Sequence, residues 1–306
     1  MRAPSIVLAA LLAGTVATTG CGADSSQDGQ LSLVAAFYPM QQLAEQLSSD
    51  QPKRAVSVST LVKPGVEPHD LELKPSQIAT LVEADLLIYL KGFQPALDEA
   101  VAEHLDEPSR AFDVTTVRPL RDVSASHDGP AAHGGKDPHV WLDPDRQAVI
   151  ANRLADKLGA IDPAHRADYT RQAKRLGAKL ERLDQAYQKG LDDCERREIV
   201  VSHAAFGYLA DKYDLKQIAV TGLSPEQEPT PRRLAEVIDT AREHKATVIF
   251  FETLVSPEVA KTLAREVGAQ AKVLDPIEGL RPGSDQDYFS LMRTNLDNLR
   301  AALDCS

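Results

Sequence analysis

Three histidines and one aspartate form a candidate ligand set: three of the four follow predicted parallel strands, and the fourth, His139, lies in the segment that leads to a long predicted helix. His69 lies in the loop "GVEPHDLELKP" after a strand predicted to end near Val62, and His203 follows the apolar strand "REIVV". Asp275 ends the strand "AKVLD", and His139 lies in "KDPHVWLDP". Ligands bind beyond the carboxyl ends of the strands in open parallel sheets. Three imidazoles and a carboxylate form a four-coordinate set that suits zinc.

The elements that must position these residues occur twice along the chain. The segment "AVSVSTLVKPGVEPHDLELKPSQIATLVEADLLIYL" predicts strand, loop, helix and strand, and "KQIAVTGLSPEQEPTPRRLAEVIDTAREHKATVIFFE" repeats that order. An amphipathic segment and a short apolar strand follow each of them. Strands that alternate with helices indicate parallel βαβ units. The predicted fold class is therefore α/β, with two related lobes over residues 31–161 and 194–306, each a parallel sheet flanked by helices.

One long helix is predicted to join the lobes over residues 162–193. Asp162 and Pro163 supply a helix start signal, an N-cap followed by proline at the first helical position. Apolar residues then recur at helical spacing on one stripe: Leu176, Leu180, Leu183, Tyr187 and Leu191. A continuous helix acts as a rigid strut, unlike a Gly/Ser linker. Two candidate ligands come from each half, so facing lobes would bring all four into one cleft.

The N-terminus is typical of an exported protein. Residues 1–20 carry Arg2 and an apolar run too short to span a membrane, which indicates a signal peptide. Cys21 follows Gly20 as in a bacterial lipobox, although Thr18 stands where leucine is usual. Residues 21–30 would then be a lipidated flexible tether. The prediction is a chain anchored by lipid to the outer face of the cytoplasmic membrane; the alternative is an ordinary signal peptide with an incidental cysteine.

The charge and the remaining cysteines limit the partners and the compartment. The formal net charge is −11 and no cluster of Lys and Arg occurs, so nucleic acid is not an expected partner.

Only Cys194 and Cys305 follow Cys21. In an oxidising compartment such a pair favours a disulfide over two free thiols.

The chain resembles the zinc/manganese substrate-binding proteins of bacterial ABC importers from about residue 31 to residue 304. The resemblance rests on "GVEPHDLELKPSQIATLVEADLLIYL", "DPHVWLDP" and "VVSHAAFGYLADKYDL". It implies two α/β lobes joined by a long helix, with the four ligand positions at His69, His139, His203 and Asp275. Manganese-binding members tend to carry a carboxylate at the third position, so His203 favours Zn²⁺, bound as the transported ion and not for catalysis.

The resemblance also implies partners for the chain. These are a membrane permease, indirectly its ATPase, and a metallochaperone as a further candidate, with the chain itself a monomer. Three alternatives stay open: a manganese-binding member, a secreted zinc hydrolase, and an adhesin or metal buffer without a transporter. The hydrolase would need an open zinc position and a base such as Glu67 or Glu252. No HExxH motif occurs, and Asp275 would fill the fourth position.

Other residues around the four candidates have two possible roles each. Glu67 could bind the metal or orient a ligand, and Glu252 could face the cleft or be solvated. Trp141 is expected to pack beneath the His139 loop, whose backbone Pro138 restricts. The flexible stretch 124–136 either offers a weak secondary metal site or is a plain loop. Its candidate ligands are His127, Asp128 and His133.

Overall fold

The computed structural model describes residues 30–51, 55–123 and 135–306. The predicted signal segment, Cys21 and the tether up to residue 29 lie outside these ranges. So do His127, Asp128 and His133, and the predictions for all of them stay predictions. Within the described ranges, no helix combines the length and the apolar character that a membrane crossing requires.

The first lobe is built on a four-stranded parallel sheet. Its strand order is β2-β1-β3-β4, and all neighbouring pairs are parallel. Every residue of β3 is buried, as expected for a strand covered on both faces. The elements are β1 (Leu31–Ala35), α1 (Tyr38–Leu47), β2 (Val56–Thr60), α2 (Pro75–Glu83), β3 (Leu86–Tyr89), α3 (Pro95–His104) and β4 (Ala111–Asp113).

The second lobe repeats that topology with the strand order β6-β5-β7-β8, again entirely parallel. The two sheets therefore have the same order of strands, and the predicted repeat of elements is confirmed. The elements are β5 (Glu198–Val201), α6 (Gly207–Lys212), β6 (Lys216–Ala219), α7 (Pro231–Glu243), β7 (Val248–Phe251), α8 (Glu258–Val267), β8 (Gln270–Val273) and α9 (Tyr288–Leu303).

The long helix α5 (Arg166–Leu191) links the lobes by packing against α1 and α9, and α4 (Pro144–Ile161) packs along it. The predicted apolar stripe of α5 is buried from Leu176 to Leu191. The predicted start differs, because residues 163–165 form a 3-10 turn before the α-helix begins. Asp162 does not cap the helix backbone; its carboxylate accepts the Tyr169 hydroxyl at 2.7 Å.

The predicted disulfide between Cys194 and Cys305 is present. Main-chain hydrogen bonds beside it join residues 193–196 to the chain end, for example from the Arg196 amide to the Leu303 carbonyl at 3.1 Å. The bond therefore fastens the end of α9 to the segment that leads from α5 into β5.

One continuous buried apolar cluster runs through both lobes. It includes Leu33 of β1, Tyr187 of α5, Phe250 of β7 and Leu296 of α9. A smaller cluster, with Val237 as a member, lies between the second sheet and the helices α7 and α8. The two sheets are thus joined through α5 by a shared core as well as by the chain.

Candidate metal centre

Three histidine rings converge between the two lobes. His69 comes from the loop after β2, His139 from the turn before α4, and His203 from the end of β5. Their exposed fractions are 5%, 0% and 1%. A fourth side chain, Glu278, is 1% exposed and completes the group. Ligand atoms of all four lie within 4.8 Å of one another. The structure therefore brings together the three histidines that the sequence indicates.

The atoms that face one another in this group are the three Nε2 nitrogens and one carboxylate oxygen. Oε1 of Glu278 lies 3.3 Å from Nε2 of His69, 3.2 Å from that of His139 and 3.3 Å from that of His203. Nε2 of His139 and Nε2 of His203 are 3.4 Å apart. A tetrahedral zinc ion with bonds of about 2.0–2.1 Å has ligand-to-ligand edges of about 3.3–3.4 Å. The four atoms thus have the spacing of a zinc coordination shell.

The position of Asp275 corrects the predicted fourth ligand. Its Oδ1 accepts the Ile277 amide at 2.8 Å, and its Oδ2 accepts the Thr253 hydroxyl at 2.6 Å. Both oxygens are occupied within the second lobe, and Asp275 does not belong to the ligand group. The strand β8 ends at Val273, so Asp275 begins a turn instead of ending a strand. Glu278, three residues later, reaches the histidines.

The backbone of that turn is unusual and is held in place by side chains. Ile277 has a φ of 60°, a left-handed conformation that is unfavourable for a β-branched residue. The hydrogen bond from its amide to Asp275 stabilises it there. Asn295 of α9 fixes Asp275 in turn, because its side chain bonds both the Asp275 amide and the Asp275 carbonyl, at 2.9 and 2.7 Å. Asp275 thus shapes the turn that presents Glu278.

Residues 276–280, called the Glu278 loop below, are tied to the first lobe on both sides of Glu278. Trp141 donates its indole N–H to the Pro276 carbonyl at 2.7 Å, and the Gly65 amide donates to the Leu280 carbonyl at 2.7 Å. The Trp141 ring also packs against His139, with the ring centroids 5.3 Å apart. The tryptophan lies beneath the histidine, as expected, and it connects the loops of the two lobes.

Two buried carboxylates orient the histidine rings. Asp137 lies 2.8 Å from Nδ1 of His139 and also accepts the His139 amide. Glu252 lies 2.7 Å from Nδ1 of His203. A ring that donates its Nδ1–H to a carboxylate presents Nε2 to a metal. Glu252 therefore faces the cleft and holds the His203 ring. Asp137 is not among the residues predicted from the sequence, although its place two residues before His139 is a signal for such a contact.

Glu67 contacts His69 through the backbone and not through the metal-binding group. Its Oε2 accepts the His69 amide at 2.9 Å. It forms a separate acidic group with Asp70 and Glu226. Burial, and then repulsion from Glu278, raise the pKa of Glu67 to about 8. Glu67 thus shapes the His69 loop and is not among the four converging side chains.

The family described as "Zinc-uptake complex component A periplasmic", ZnuA, has a sequence profile that matches residues 33–302. The chain belongs to this family. It is 34% identical to the high-affinity zinc uptake system protein ZnuA of Bacillus subtilis over 95% of this chain and 92% of that protein. It is 32% identical to the zinc-binding lipoprotein AdcA of Streptococcus pneumoniae over 99% of this chain, but it spans 62% of AdcA's length.

A solved structure agrees with this membership of the ZnuA family. The Zn(II)-bound ZnuA-like domain of Streptococcus pneumoniae AdcA superposes with a TM-score of 0.75 at 31% identity. The superposition covers 90% of this chain and all of that domain. The ZnuA fold, with two parallel sheets flanked by helices and a long helix between them, is thus the fold of this chain.

The titration of the ZnuA-type site follows from its burial and its charges. Burial opposes protonation of every ring, and it lowers the pKa of His69 below the ordinary value. For His203, Glu252 and Glu278 outweigh burial and raise the pKa well above that value. Hydrogen bonds to Asp137 and Glu278 likewise outweigh burial and raise the pKa of His139. Despite its burial, the histidine charges hold the pKa of Glu278 well below its usual range.

Zinc binding should therefore release protons at neutral pH and weaken as the pH falls. A raised pKa means that His203 holds its proton at pH values above its ordinary range, and Nε2 cannot bind zinc until that proton leaves. We expect at least one proton released per zinc ion near pH 7, because the pKa values of both His139 and His203 are raised, and an affinity that falls about tenfold per pH unit for each proton displaced. Calorimetric titration in buffers of different ionisation enthalpy measures both. An affinity unchanged between about pH 6 and pH 8 would contradict this account.

Proposed function

We propose that this chain is the extracytoplasmic substrate-binding protein of an ABC importer. It captures Zn²⁺ in the cleft between its lobes and delivers the ion to a membrane permease. The observation that carries the proposal is the convergence of three Nε2 atoms on Glu278 Oε1 at 3.2–3.3 Å, with the Nε2 atoms of His139 and His203 3.4 Å apart. Its ZnuA-family relatives are named for zinc uptake and zinc binding, which supports the same function.

The proposed zinc ligands are His69, His139, His203 and Glu278. All four positions of a tetrahedral ion are then filled by protein atoms, as in a site that holds its metal. A catalytic zinc ion instead keeps one position for water. With no open position, the site favours binding over the alternative of a secreted hydrolase. Glu67 and Glu252, the candidate bases, accept hydrogen bonds from the His69 amide and from the His203 ring.

Zinc is favoured over manganese by the chemistry of the donors. Three neutral imidazoles suit zinc, whereas manganese prefers oxygen ligands and stands lowest in the series of divalent affinities. The narrow spacing of the four atoms also suits four-coordination. The carboxylates of Asp137 and Glu252, which contact His139 and His203, raise the basicity of the two rings. More basic imidazoles bind more strongly to a metal ion such as zinc that accepts nitrogen ligands.

Competition titrations test the proposed metal. We expect the purified protein to bind one Zn²⁺ tightly and Mn²⁺ at least about a hundredfold more weakly, because three of the four donors are nitrogen. His203→Glu should narrow this preference, since it replaces one imidazole by a carboxylate. His203→Ala is the matched control and should lose zinc affinity without gaining any for manganese. A wild-type protein that prefers manganese would overturn the assignment of zinc.

The remaining parts of the proposal concern the whole chain. Residues 1–20 are proposed as the signal peptide, Cys21 as the lipidated residue and residues 21–30 as the tether. The lobes would extend over 31–161 and 194–306, with the linking segment 162–193 between them. The proposed partners are a permease, indirectly its ATPase, and a metallochaperone, for a monomeric protein on the outer face of the membrane. Mass spectrometry of the exported N-terminal peptide tests the anchor; an unmodified Cys21 would exclude it.

A further inference from the structure

A cavity of about 270 Å³ lies between α1 and the Glu278 loop. One wall comes from the first lobe and includes Gln42 and Glu45 of α1 and Lys63 of the loop after β2. The other wall comes from the second lobe and includes Glu278 and Asp287. The cavity therefore lies between the lobes, and a proposed zinc ligand forms part of its surface.

Gln42 is the unusual residue of this cavity. The residue is 6% exposed, and its side-chain amide has no protein hydrogen-bond partner within residues 30–51, 55–123 and 135–306 but is not sealed from solvent. Because Gln42 lines the cavity, its amide can be satisfied by whatever occupies that space. The amide thus points to a polar occupant, such as water or a hydrated ion.

The charges of the cavity favour a cation. Three carboxylates line it, those of Glu45, Glu278 and Asp287, against the single ammonium group of Lys63. A cleft with an excess of one sign raises the local concentration of ions of the other sign. Burial raises the pKa of Tyr38, another lining residue, to about 12, so its phenol is neutral at physiological pH. The lining residues carry amide, phenol and carboxylate oxygens, which can accept hydrogen bonds from the water molecules of a hydrated divalent ion.

The burial of the metal group makes a passage necessary. The three histidines and Glu278 are at most 5% exposed, so an ion cannot reach them directly from the solvent. Glu278 belongs both to that group and to the cavity wall. An ion in the cavity would therefore be adjacent to Glu278, which belongs to the same group as the three imidazoles.

We infer that this cavity is the transit site through which hydrated Zn²⁺ enters and leaves the metal centre. Gln42 would hold the water shell of the ion before Glu278 takes the metal. This inference rests on the proposed function, because it presupposes that zinc binds the four-residue group. It adds a site, a route and an order of ligand exchange to that function.

Stopped-flow kinetics of Gln42→Leu test the transit site. The variant keeps the size of the side chain and removes the amide. We expect zinc association, and release to a chelator, to slow by a similar factor of about three to ten, the size expected for one lost hydrogen bond in the rate-limiting step. The equilibrium affinity should then change little. Gln147→Leu is the matched control: Gln147 is 1% exposed, its amide also lacks a partner among the described residues, and it does not line the cavity.

A pair of surface variants keeps the test independent of the folding of Gln42→Leu. Glu45 and Glu226 are both exposed carboxylates; Glu45 lines the cavity, and Glu226 belongs to the separate acidic group with Glu67. Glu45→Lys should slow zinc association at low salt, and Glu226→Lys should not. The reverse result, or unchanged rates in both Gln42→Leu and Glu45→Lys, would overturn the transit site while the proposed function stands. A wild-type protein that binds no zinc would overturn both.

Discussion

Glu278→Gln should weaken zinc binding by about a hundredfold or more, whereas Asp275→Asn should leave the affinity within about tenfold of the wild type. A four-ligand zinc site contributes roughly 10–16 kcal/mol, so one ligand accounts for about 3 kcal/mol if the ligands share it evenly. The glutamine also removes the negative charge that offsets the buried ion. The Asp275 carboxylate instead accepts hydrogen bonds from the Ile277 amide and the Thr253 hydroxyl.

The two substitutions are matched, since each replaces a buried carboxylate by its amide. In Asp275→Asn the side-chain oxygen can still accept the Ile277 amide, and the new N–H can donate to Thr253. The turn should therefore keep its shape and still present Glu278. Competitive titration against a chelator of known affinity measures both variants, and thermal unfolding of the metal-free proteins shows whether each is folded. If Asp275→Asn loses more affinity than Glu278→Gln, the ligand is Asp275 and the account of the turn is wrong.

Removal of the disulfide should lower the free energy of unfolding by about 4–5 kcal/mol. The bond closes a loop across a sequence separation of 111 residues, and the chain-entropy model gives about 4.7 kcal/mol for a loop of about 100 residues. The double variant Cys194→Ser/Cys305→Ser, unfolded with denaturant beside the wild type, measures the change. Equal stabilities of the oxidised and reduced proteins would contradict it.

Zinc affinity provides the control for the disulfide experiment. Cys194 precedes β5, whereas His203 follows it, so the strand separates the bond from the metal centre. The cysteine variant should bind zinc as the wild type does at temperatures where both are folded. A large loss of affinity in the folded variant would mean that the bond positions the site as well as stabilising the fold.

The sequence predicted the topology because its periodic patterns are local and occur twice. Strand-and-helix alternation around "VSVST" and "QIAV" indicates parallel units, and the structure confirms two parallel sheets of the same topology. His69, His139 and His203 could be placed because each follows a recognisable strand or motif. The structure brings these three rings together, while their role as zinc ligands stays a prediction.

The fourth position could not be read from the sequence, because two acids occupy the same loop. In "VLDPIEGL" the spacing does not reveal which carboxylate turns inward. That choice depends on the left-handed backbone of Ile277 and on Asn295, which lies 20 residues beyond Asp275. The start of α5 differed for a similar reason, since the Asp162 carboxylate bonds the Tyr169 hydroxyl and leaves the helix uncapped. The inward-facing carboxylate and the first residue of α5 are thus both decided by side-chain contacts that the local sequence pattern does not reveal.

The apolar cluster shared by both sheets and α5 restricts how loading can be signalled. Parting the lobes would expose part of that cluster to water, at a cost of about 25 cal/mol for each Å² of apolar surface. The zinc-bound and zinc-free proteins should therefore have almost the same overall shape. A permease that receives the ion would then have to distinguish the filled protein from the empty one by the conformations of a few side chains at the rim of the cleft.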